Sequence, residues 1–272
     1  MLSLNTNTAS LIVQKNLKKA TIGIENALRQ LTTGYKINKA KDDPANYHIM
    51  RQMEVKLKAW DVAQDNINIG NNLLETASGS AELIYNHMIR IRNLCEQACN
   101  GTYGEQSINA IKKEVGGRLD EINRIINCTE FNNINIFGDG ISDKIISLQI
   151  GITSAQNSQL KIDTSLHLDE LISFNDLDIS SSETLEVVDS IINKLNIYQT
   201  RIGASQNRLN YALEYAELMT NNLTSSLSTI RDADIAKASS DLIRHQILQQ
   251  ACITLLATAN QMPAMALQLL PH

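Results

Sequence analysis

The feature that most constrains the fold is a long run of apolar residues spaced alternately three and four positions apart. The run consists of Trp60, Ala63, Ile67, Gly70, Leu74, Ala77, Ala81, Ile84, Met88, Ile91, Cys95 and Ala98. A seam of this period, held over several heptads, is typical of helices that pack as coiled coils. Because many seam residues are small, neighbouring helices can approach closely, which favours a bundle over a lone two-stranded zipper. A helix from about Pro44, capped by Asp43, to Cys99 would extend roughly 80 Å, so the sequence predicts an elongated fold.

Two later stretches repeat this helical pattern. After a break at Asn100-Gly101, one apolar face contains Ile108, Ile111, Val115, Leu119, Ile122 and Ile126. The short break predicts an antiparallel helical hairpin. After Ser181–Glu183, a further seam contains Val188, Ile192, Leu195, Ile202, Leu209, Leu213, Ala216, Leu223, Leu227 and Ile230, with Gln199, Gln206 and Thr220 in the remaining seam positions. Polar seam residues lower stability but can fix the helical register.

Both ends of the chain predict helices that lack full cover. The first follows the capping residues Asn5–Asn7 and ends near Gly34, and the last runs from about Asp234 to Gln261 and is ended by Pro263. The apolar residues of the last helix spread around more than one face, and such a helix must be buried on several sides. Pairing the two ends would still leave apolar surface open, which usually marks an interface. We therefore expect the protein to complete its core by self-association.

The region between the helical seams behaves differently. Asn132-Asn133 and Gly138–Gly140 are turn signals. Ile145–Ile150 and Leu160–Ile162 are the size and composition of short strands. The predicted fold class is therefore mainly α, an elongated coiled-coil-like helical bundle with a small β element and a terminal two-helix region.

Composition excludes several classes of function. Only 3 Pro and 12 Gly in 272 residues argue against a many-stranded sandwich or barrel. A net charge of −5 and 4% aromatic residues argue against binding of nucleic acid. The first residues show no cleavable signal peptide, and no apolar run reaches the roughly 18 residues that insertion into a membrane requires. The chain is thus expected to be cytoplasmic, or to be exported by a machine that reads no cleavable signal.

The sequence carries no recognisable catalytic or metal-binding motif. The histidines are His48, His87, His167, His245 and His272, and none forms H-E-x-x-H; P-loop, G-x-G-x-x-G and G-x-S-x-G motifs are absent as well. The acidic pairs Asp42-Asp43 and Asp232 with Asp234 stand at expected helix starts or joints and are interpreted as caps. Cys95 and Cys99, with Cβ atoms about 5–6 Å apart on a helix, are too far apart for a disulfide and are interpreted as packing residues of the seam. We expect neither an enzyme nor a cofactor.

Several separate segments resemble bacterial flagellins. Leu31–Asn38 followed by Ala40–Ala45 resembles the flagellin linker motif, and Gly203–Leu209 resembles the motif of the C-terminal rod. The similarity extends to the tail and the start of the chain, at Ile247–Ala251, Ala259–Gln261, Leu267–Leu270 and Leu4–Asn7. These motifs occur in the family's order and cover nearly the whole chain.

The resemblance implies a subunit of the flagellar filament, with terminal helices in an inner tube and rod helices in an outer tube. It implies a short, core-only flagellin with five segments: 1–42 inner-core helix and linker, 43–130 N-terminal rod helices, 131–182 small β element, 183–233 C-terminal rod helix and 234–272 C-terminal inner-core helix. It also implies export without a signal peptide to the extracellular filament. The implied partners are other copies of the chain, the flagellar export chaperone and secretion machinery, and the hook-associated and cap proteins. An alternative is a hook–filament junction protein that shares the terminal helices.

The resemblance further implies that the monomer is a ligand of the flagellin-sensing Toll-like receptor of innate immunity. The receptor motif of the family resembles Arg90–Leu94, with Gln97 close by and two residues on the returning helix. The implied receptor-binding residues are Arg90, Arg92, Leu94, Gln97, Glu114 and Arg118. Asn93 departs from the Glu that is common in the family. Alternatively, Arg90 and Glu114 are exposed charges that serve contacts between subunits.

Overall fold

A computed structural model of the protein describes residues 7–137, 144–168 and 179–268. These residues contain five α-helices: α1 Thr8–Thr33, α2 Pro44–Ala98, α3 Glu105–Cys128, α4 Ser182–Arg231 and α5 Ile235–Gln268. They also contain two antiparallel hairpins, formed by β1 Glu130–Phe131 with β2 Ile134–Asn135 and by β3 Ile145–Gln149 with β4 Gln159–Asp163. The predicted mainly helical fold with a small β element is confirmed.

Tertiary contacts divide the chain into two units. Unit 1 combines Met1–Val55 with Asn222–His272, and unit 2 consists of Lys56–Asn221. Unit 1 therefore contains α1, α5 and the adjoining ends of α2 and α4. The division of the chain into five functional segments stays a prediction.

The core of unit 2 follows the predicted seams. All twelve seam residues between Trp60 and Ala98 are buried. In α4, however, Tyr198 and Ser205 are buried, whereas Gln199 and Gln206 are only half-buried. The seven-residue repeat is kept, because Val188, Leu195, Ile202 and Leu209 are all buried. The second seam position of each heptad lies three residues after the first, not four as predicted.

Helices α2 and α4 lie antiparallel in unit 2. Gln64 Nε2 donates to Thr220 Oγ1 at 3.1 Å, and Arg92 Nε donates to Asp189 Oδ1 at 2.7 Å. Positions that advance along α2 thus meet positions that recede along α4. Polar pairs of this kind fix the register of the two helices from outside the apolar seam.

The turn of the first hairpin consists of two residues that the sequence identifies as a turn signal. Asn132 and Asn133 have φ angles of 50° and 61°, the left-handed pair that a two-residue type I′ turn requires and that Asn tolerates. Strands β1 and β2 were not predicted, because two residues are too short to show a period. Strands β3 and β4 confirm the predicted pair. The turn signal at Gly138–Gly140 lies outside the described residues.

Helix α1 has the predicted ends. Asn7 is its N-cap, and its Oδ1 accepts a hydrogen bond from the backbone N–H of Ser10 at 3.0 Å. Gly34 ends the helix in the left-handed conformation with φ of 72°, and its N–H donates to the Gln30 carbonyl at 2.8 Å. A residue with a side chain is strained at this φ, so glycine suits the position.

The predicted end of the last helix is wrong, because α5 continues past Pro263 to Gln268. A proline inside a helix has no N–H for the carbonyl four residues earlier, which here is that of Ala259. Asn7 Nδ2 donates to this carbonyl at 2.6 Å. A side chain from the start of α1 thus supplies the hydrogen bond that Pro263 withholds.

The four cysteines, all within the described residues, are free thiols. Cys95 and Cys252 are buried, whereas Cys99 and Cys128 are exposed, so the placement of Cys99 in the seam is wrong. Ala98 occupies the next seam position and ends α2, which leaves Cys99 beyond the helix. Burial raises the pKa of the Cys95 thiol to about 11, and this thiol is therefore a protonated packing group at neutral pH.

Candidate functional site

The helix pair α1–α5 of unit 1 has small residues at its centre. The buried residues are Ser10, Ala20 and Ala27 on α1, and Ala238, Cys252 and Ala259 on α5. Ser10 Oγ donates to Asn260 Oδ1 at 2.9 Å, and Gln249 Nε2 donates to Thr21 Oγ1 at 3.3 Å. The helices are therefore antiparallel, and small side chains let their backbones come close.

Within this pair, the ring of His245 on α5 packs against Gly23 on α1. A Cβ on Gly23 would lie 2.5 Å from two atoms of the His245 ring. The ring occupies the space that any side chain at position 23 would need. A side chain at position 23 would therefore displace the His245 ring of the neighbouring helix.

The outside of the same pair exposes large aliphatic residues, which we call the terminal apolar surface. It consists of Leu11, Ile12, Ile22, Leu28, Ile235, Ile243, Ile247, Leu248, Ile253 and Leu255, with exposed fractions from 46% for Leu248 to 64% for Ile247. Full burial of such a side chain contributes about 1.5–3 kcal/mol relative to full exposure. The prediction that the paired ends leave apolar surface open is confirmed.

Unit 2 exposes two narrower apolar stripes, which we call the outer stripes. One contains Val62, Ile69 and Leu83 of α2, and the other contains Ile197, Tyr211 and Leu218 of α4. Within each stripe the residues lie seven or fourteen positions apart, so they share one helix face. Each stripe therefore leaves apolar side chains open to solvent along one face of its helix.

A joint in unit 1 connects the linker after α1 to the turn between α4 and α5. The N–H of Lys36 donates to the Arg231 carbonyl at 2.7 Å, and the N–H of Ala233 donates to the Gly34 carbonyl at 2.8 Å. The Arg231 guanidinium lies 4.3 Å from the centre of the Tyr35 ring, a cation–π contact. Sequence reasoning missed this joint, since backbone pairing between two short polar segments leaves no periodic signal.

Asp43 caps the start of α2, as predicted, whereas Asp42 caps no helix and instead closes a turn within the linker. Asp42 Oδ2 accepts from the N–H of Lys39 at 3.0 Å and of Asn38 at 3.2 Å, and Asp43 Oδ1 accepts from the N–H of Asn46 at 3.1 Å. Burial opposes ionisation of Asp42, but the two backbone hydrogen bonds outweigh it and lower its pKa. Both carboxylates thus accept hydrogen bonds from the backbone and stabilise its local conformation.

Three of the six predicted receptor-binding residues form one exposed ionic cluster. Glu114 Oε1 lies 3.3 Å from Nη2 of Arg90 on α2 and 3.0 Å from Nη2 of Arg118. Hydrogen bonds from Arg118 and the nearby Arg90 charge lower the pKa of Glu114. The contact between Arg90 and Glu114 joins α2 to α3. The antiparallel arrangement of this helical hairpin stays a prediction.

The other three residues lie in different surroundings. Gln97 is exposed and lines, with Arg90, a cavity of about 390 Å³. Arg92 is paired with Asp189 of α4. Leu94 is only 2% exposed and belongs to the core. Its spacing of three from the seam residue Ile91 is the signal from which that burial could have been predicted.

The described residues give no sign of a metal or membrane site. Within residues 7–137, 144–168 and 179–268, no three His, Cys, Asp or Glu side chains cluster in a way that could hold a metal ion. None of the helices in this described part combines the length and the apolarity that crossing a membrane demands.

Comparison with known families assigns the two helical halves. The family model described as the bacterial flagellin N-terminal helical region matches residues 4–142, and the model for the bacterial flagellin C-terminal helical region matches residues 185–270. The chain belongs to the flagellin family. Flagellins are a family of structural proteins that form the flagellar filament, not a family of enzymes.

Individual flagellins are similar along their whole length. Flagellin of Bacillus subtilis is 32% identical over 302 residues, which covers 98% of this chain and 99% of that protein. Flagellin of Listeria innocua is 28% identical over 286 residues, covering 99% of each. A crystal structure of Bacillus cereus flagellin is 25% identical, with a TM-score of 0.48, and covers 56% of this chain and 88% of that one. The size of these relatives is consistent with a short, core-only form.

Proposed function

We propose that the protein is a structural subunit that self-assembles into an extracellular flagellar filament. The observation that carries this proposal is the terminal apolar surface, since ten large aliphatic residues there stay open to solvent on the paired helices. Burial of apolar surface is the dominant driving force of association. Other copies of the same chain are the partner that would cover it in a filament.

The geometry suggests how assembly proceeds. Helices α1 and α5 pack on each other through small side chains, so their large aliphatic residues stay uncovered. Segments that lack sufficient cover fold when a partner supplies it. Contacts that repeat head to tail without closing generate a helical filament, and the outer stripes of unit 2 offer further contact surface.

Truncation tests the proposal. A chain ending at Asp234 lacks α5 and most of the terminal apolar surface but keeps all of unit 2. We expect this variant to stay soluble, to keep the helical circular dichroism signal of unit 2 and to form no filaments by electron microscopy. The full chain under the same conditions is the control. Filaments formed by the truncated chain would contradict the proposal.

The further partners of the proposed filament are those that deliver and cap it. They are the flagellar export chaperone and secretion machinery and the hook-associated and cap proteins. The alternative, a junction protein at the hook, is distinguished by abundance. A filament subunit dominates sheared filaments on a gel, whereas a junction protein is scarce there.

We also propose that the monomer is a ligand of the flagellin-sensing Toll-like receptor. The support is the exposed cluster of Arg90, Glu114 and Arg118, because an arginine near the centre of a contact patch is a frequent hot spot. Arg92 and Gln97 would contribute at the edge. Leu94, being buried, would act by holding α2 in place.

A receptor-reporter assay tests this second proposal. Arg90→Ala and Glu114→Ala should each weaken the response to purified monomer. Arg124→Ala is the control, since Arg124 is an exposed arginine of α3 that pairs with Glu121. If the unmodified monomer gives no signal at any dose, or if Arg124→Ala weakens it equally, the receptor proposal fails.

A further inference from the structure

The loop at residues 99–104, between α2 and α3, contains the one Asn-Gly pair of the sequence, Asn100-Gly101. Both residues are exposed, as are the other residues of the loop. Glycine has no Cβ, and a Cβ at position 101 would meet open space. Packing therefore does not hinder an approach of the Gly101 amide nitrogen to the side chain of Asn100.

The backbone hydrogen bonds of the loop leave this nitrogen free. The N–H of Asn100 donates to the Gln97 carbonyl at 3.1 Å, and the N–H of Tyr103 donates to the Asn100 carbonyl at 3.2 Å. Within the described part of the chain, no acceptor takes the N–H of Gly101. Its nitrogen can therefore act as a nucleophile, once it has lost its proton, without the loss of a hydrogen bond.

The side-chain carbonyl of Asn100 accepts two hydrogen bonds from Thr102. The backbone N–H of Thr102 donates to Asn100 Oδ1 at 3.2 Å, and the Thr102 hydroxyl donates to the same atom at 3.1 Å. The backbone donor identifies this atom as the oxygen of the amide. Two donors polarise the carbonyl and stabilise the negative charge that attack on its carbon would place on the oxygen.

From this geometry we propose that Asn100 is a site of spontaneous deamidation. The Gly101 nitrogen loses its proton to solvent base and attacks Cγ of Asn100, and the negative charge passes to Oδ1 between the two Thr102 donors. The Cγ–Nδ2 bond then breaks, and the leaving nitrogen takes a proton from water to give ammonia and a cyclic succinimide. Water opens the succinimide at either carbonyl, which yields aspartate or isoaspartate. The net reaction consumes water and releases ammonia, without oxidation or reduction.

The reaction changes the charge at a defined place. Asn100 lines the cavity of about 390 Å³ that also contains Arg90, Glu96 and Gln97, so a new carboxylate alters the charge of its wall. Isoaspartate also carries the backbone through the former side chain and lengthens the loop. Because the reaction needs only water and is irreversible, the modified fraction increases with the age of the protein. The site depends on neither proposal made above for the filament or the receptor.

Mass spectrometry of the full-length protein tests the proposal. After incubation at neutral and mildly alkaline pH, the Asn100 peptide should gain the mass that exchanges NH for O. It should give two separable products, one of them isoaspartate, which opening of a succinimide produces. The rate should rise about tenfold per pH unit, because the deprotonated amide attacks.

The exposed Asn157 is the control within the same sample. The nitrogen that follows it belongs to Ser158, whose N–H donates to the Ala155 carbonyl at 2.8 Å, so the Asn157 peptide should keep its amide. Absence of isoaspartate at position 100, or equal conversion at position 157, would overturn the proposal.

Variants test the role of each group. Gly101→Ala adds a methyl group that restricts the approach and should slow the reaction about tenfold or more. Thr102→Val removes the hydroxyl with little change of shape and should slow it about two- to tenfold, the equivalent of one hydrogen bond. Tyr103→Phe is the matched control, since it removes the hydroxyl of the next exposed residue, and it should leave the rate unchanged. An unchanged rate in Gly101→Ala would overturn attack by this nitrogen, and an unchanged rate in Thr102→Val would overturn the role of the Thr102 hydroxyl.

Discussion

Large aliphatic residues face the core in the seam of unit 2, whereas they face solvent in the helix pair of unit 1. In unit 2 the large residues Ile67, Leu74 and Ile84 are fully buried. In the α1–α5 pair, Ala20 and Ala27 are buried while leucines and isoleucines face solvent. The apolar composition of the two helical regions is similar, but only unit 2 uses its large side chains for its own core.

This difference separates stability from assembly. Unit 2 removes its largest apolar groups from water within one chain, so its stability is expected to be a property of the monomer. The α1–α5 pair leaves that same driving force unused until another molecule supplies cover. Substitutions in the two regions should therefore affect different measurements, and the predictions below test that separation.

The largest effect is expected in the seam of unit 2. Ile84→Ala removes a fully buried side chain and should lower the free energy of unfolding of the monomer by about 2–5 kcal/mol. Its neighbour Leu83 is 55% exposed on the outer stripe, so Leu83→Ala should change it by less than about 0.5 kcal/mol. Urea unfolding followed by circular dichroism measures both. Equal losses would show that the seam is not the core.

The next effect concerns the contact between Gly23 and His245 in the α1–α5 pair. Gly23→Ala places a methyl group against the His245 ring and should destabilise the pair by about 1–3 kcal/mol. Filaments of this variant should melt at a lower temperature by calorimetry, and adding His245→Ala should restore part of the loss. Gly79→Ala is the control, because its Cβ would meet open space, and it should stabilise α2 by about 0.5–1 kcal/mol. A Gly23→Ala filament of unchanged stability would contradict the close contact.

A smaller effect distinguishes assembly from folding most directly. Ile247 is 64% exposed in the monomer, so Ile247→Ala should leave monomer unfolding unchanged. If neighbouring subunits cover this residue, the critical concentration for assembly should rise about tenfold, which corresponds to about 1.4 kcal/mol. Sedimentation of filaments against subunit concentration measures it, with Gln246→Ala as the exposed polar neighbour. An unchanged critical concentration would remove Ile247 from the interface.

The helices of both units could be predicted from the sequence because their signals are local. The seam from Trp60 to Ala98, the cap at Asn7 and the glycine stop at Gly34 each depend on residues within a few turns of one another. The same logic placed β3 and β4. The predictions that failed concern features that depend on partners distant in sequence. The continuation of α5 past Pro263 required an amide from the other end of the chain.

The candidate sites show the same limit. The open apolar surface followed from the spread of apolar residues on α5, since periodicity reports how many faces are apolar. The different surroundings of the six predicted receptor-binding residues could not be predicted in this way. Arg92, for example, pairs with Asp189, which lies on a helix that is distant in sequence. The burial of Tyr198 was also not predicted, because the seam of α4 contains Tyr198 where Gln199 was expected.

The smallest effect tests the hydrogen bond that holds the two ends of unit 1 in register. Asn7→Ser keeps a capping oxygen for α1 but removes the amide that donates to the Ala259 carbonyl. Leaving that carbonyl without its donor should cost about 1 kcal/mol. In the background of Pro263→Ala, which restores an N–H within α5, the same change should cost little. A double-mutant cycle on filament melting should therefore give a coupling energy of about 1 kcal/mol between positions 7 and 263. Additive effects would mean that Asn7 acts only as a cap, and that α5 passes Pro263 without help from α1.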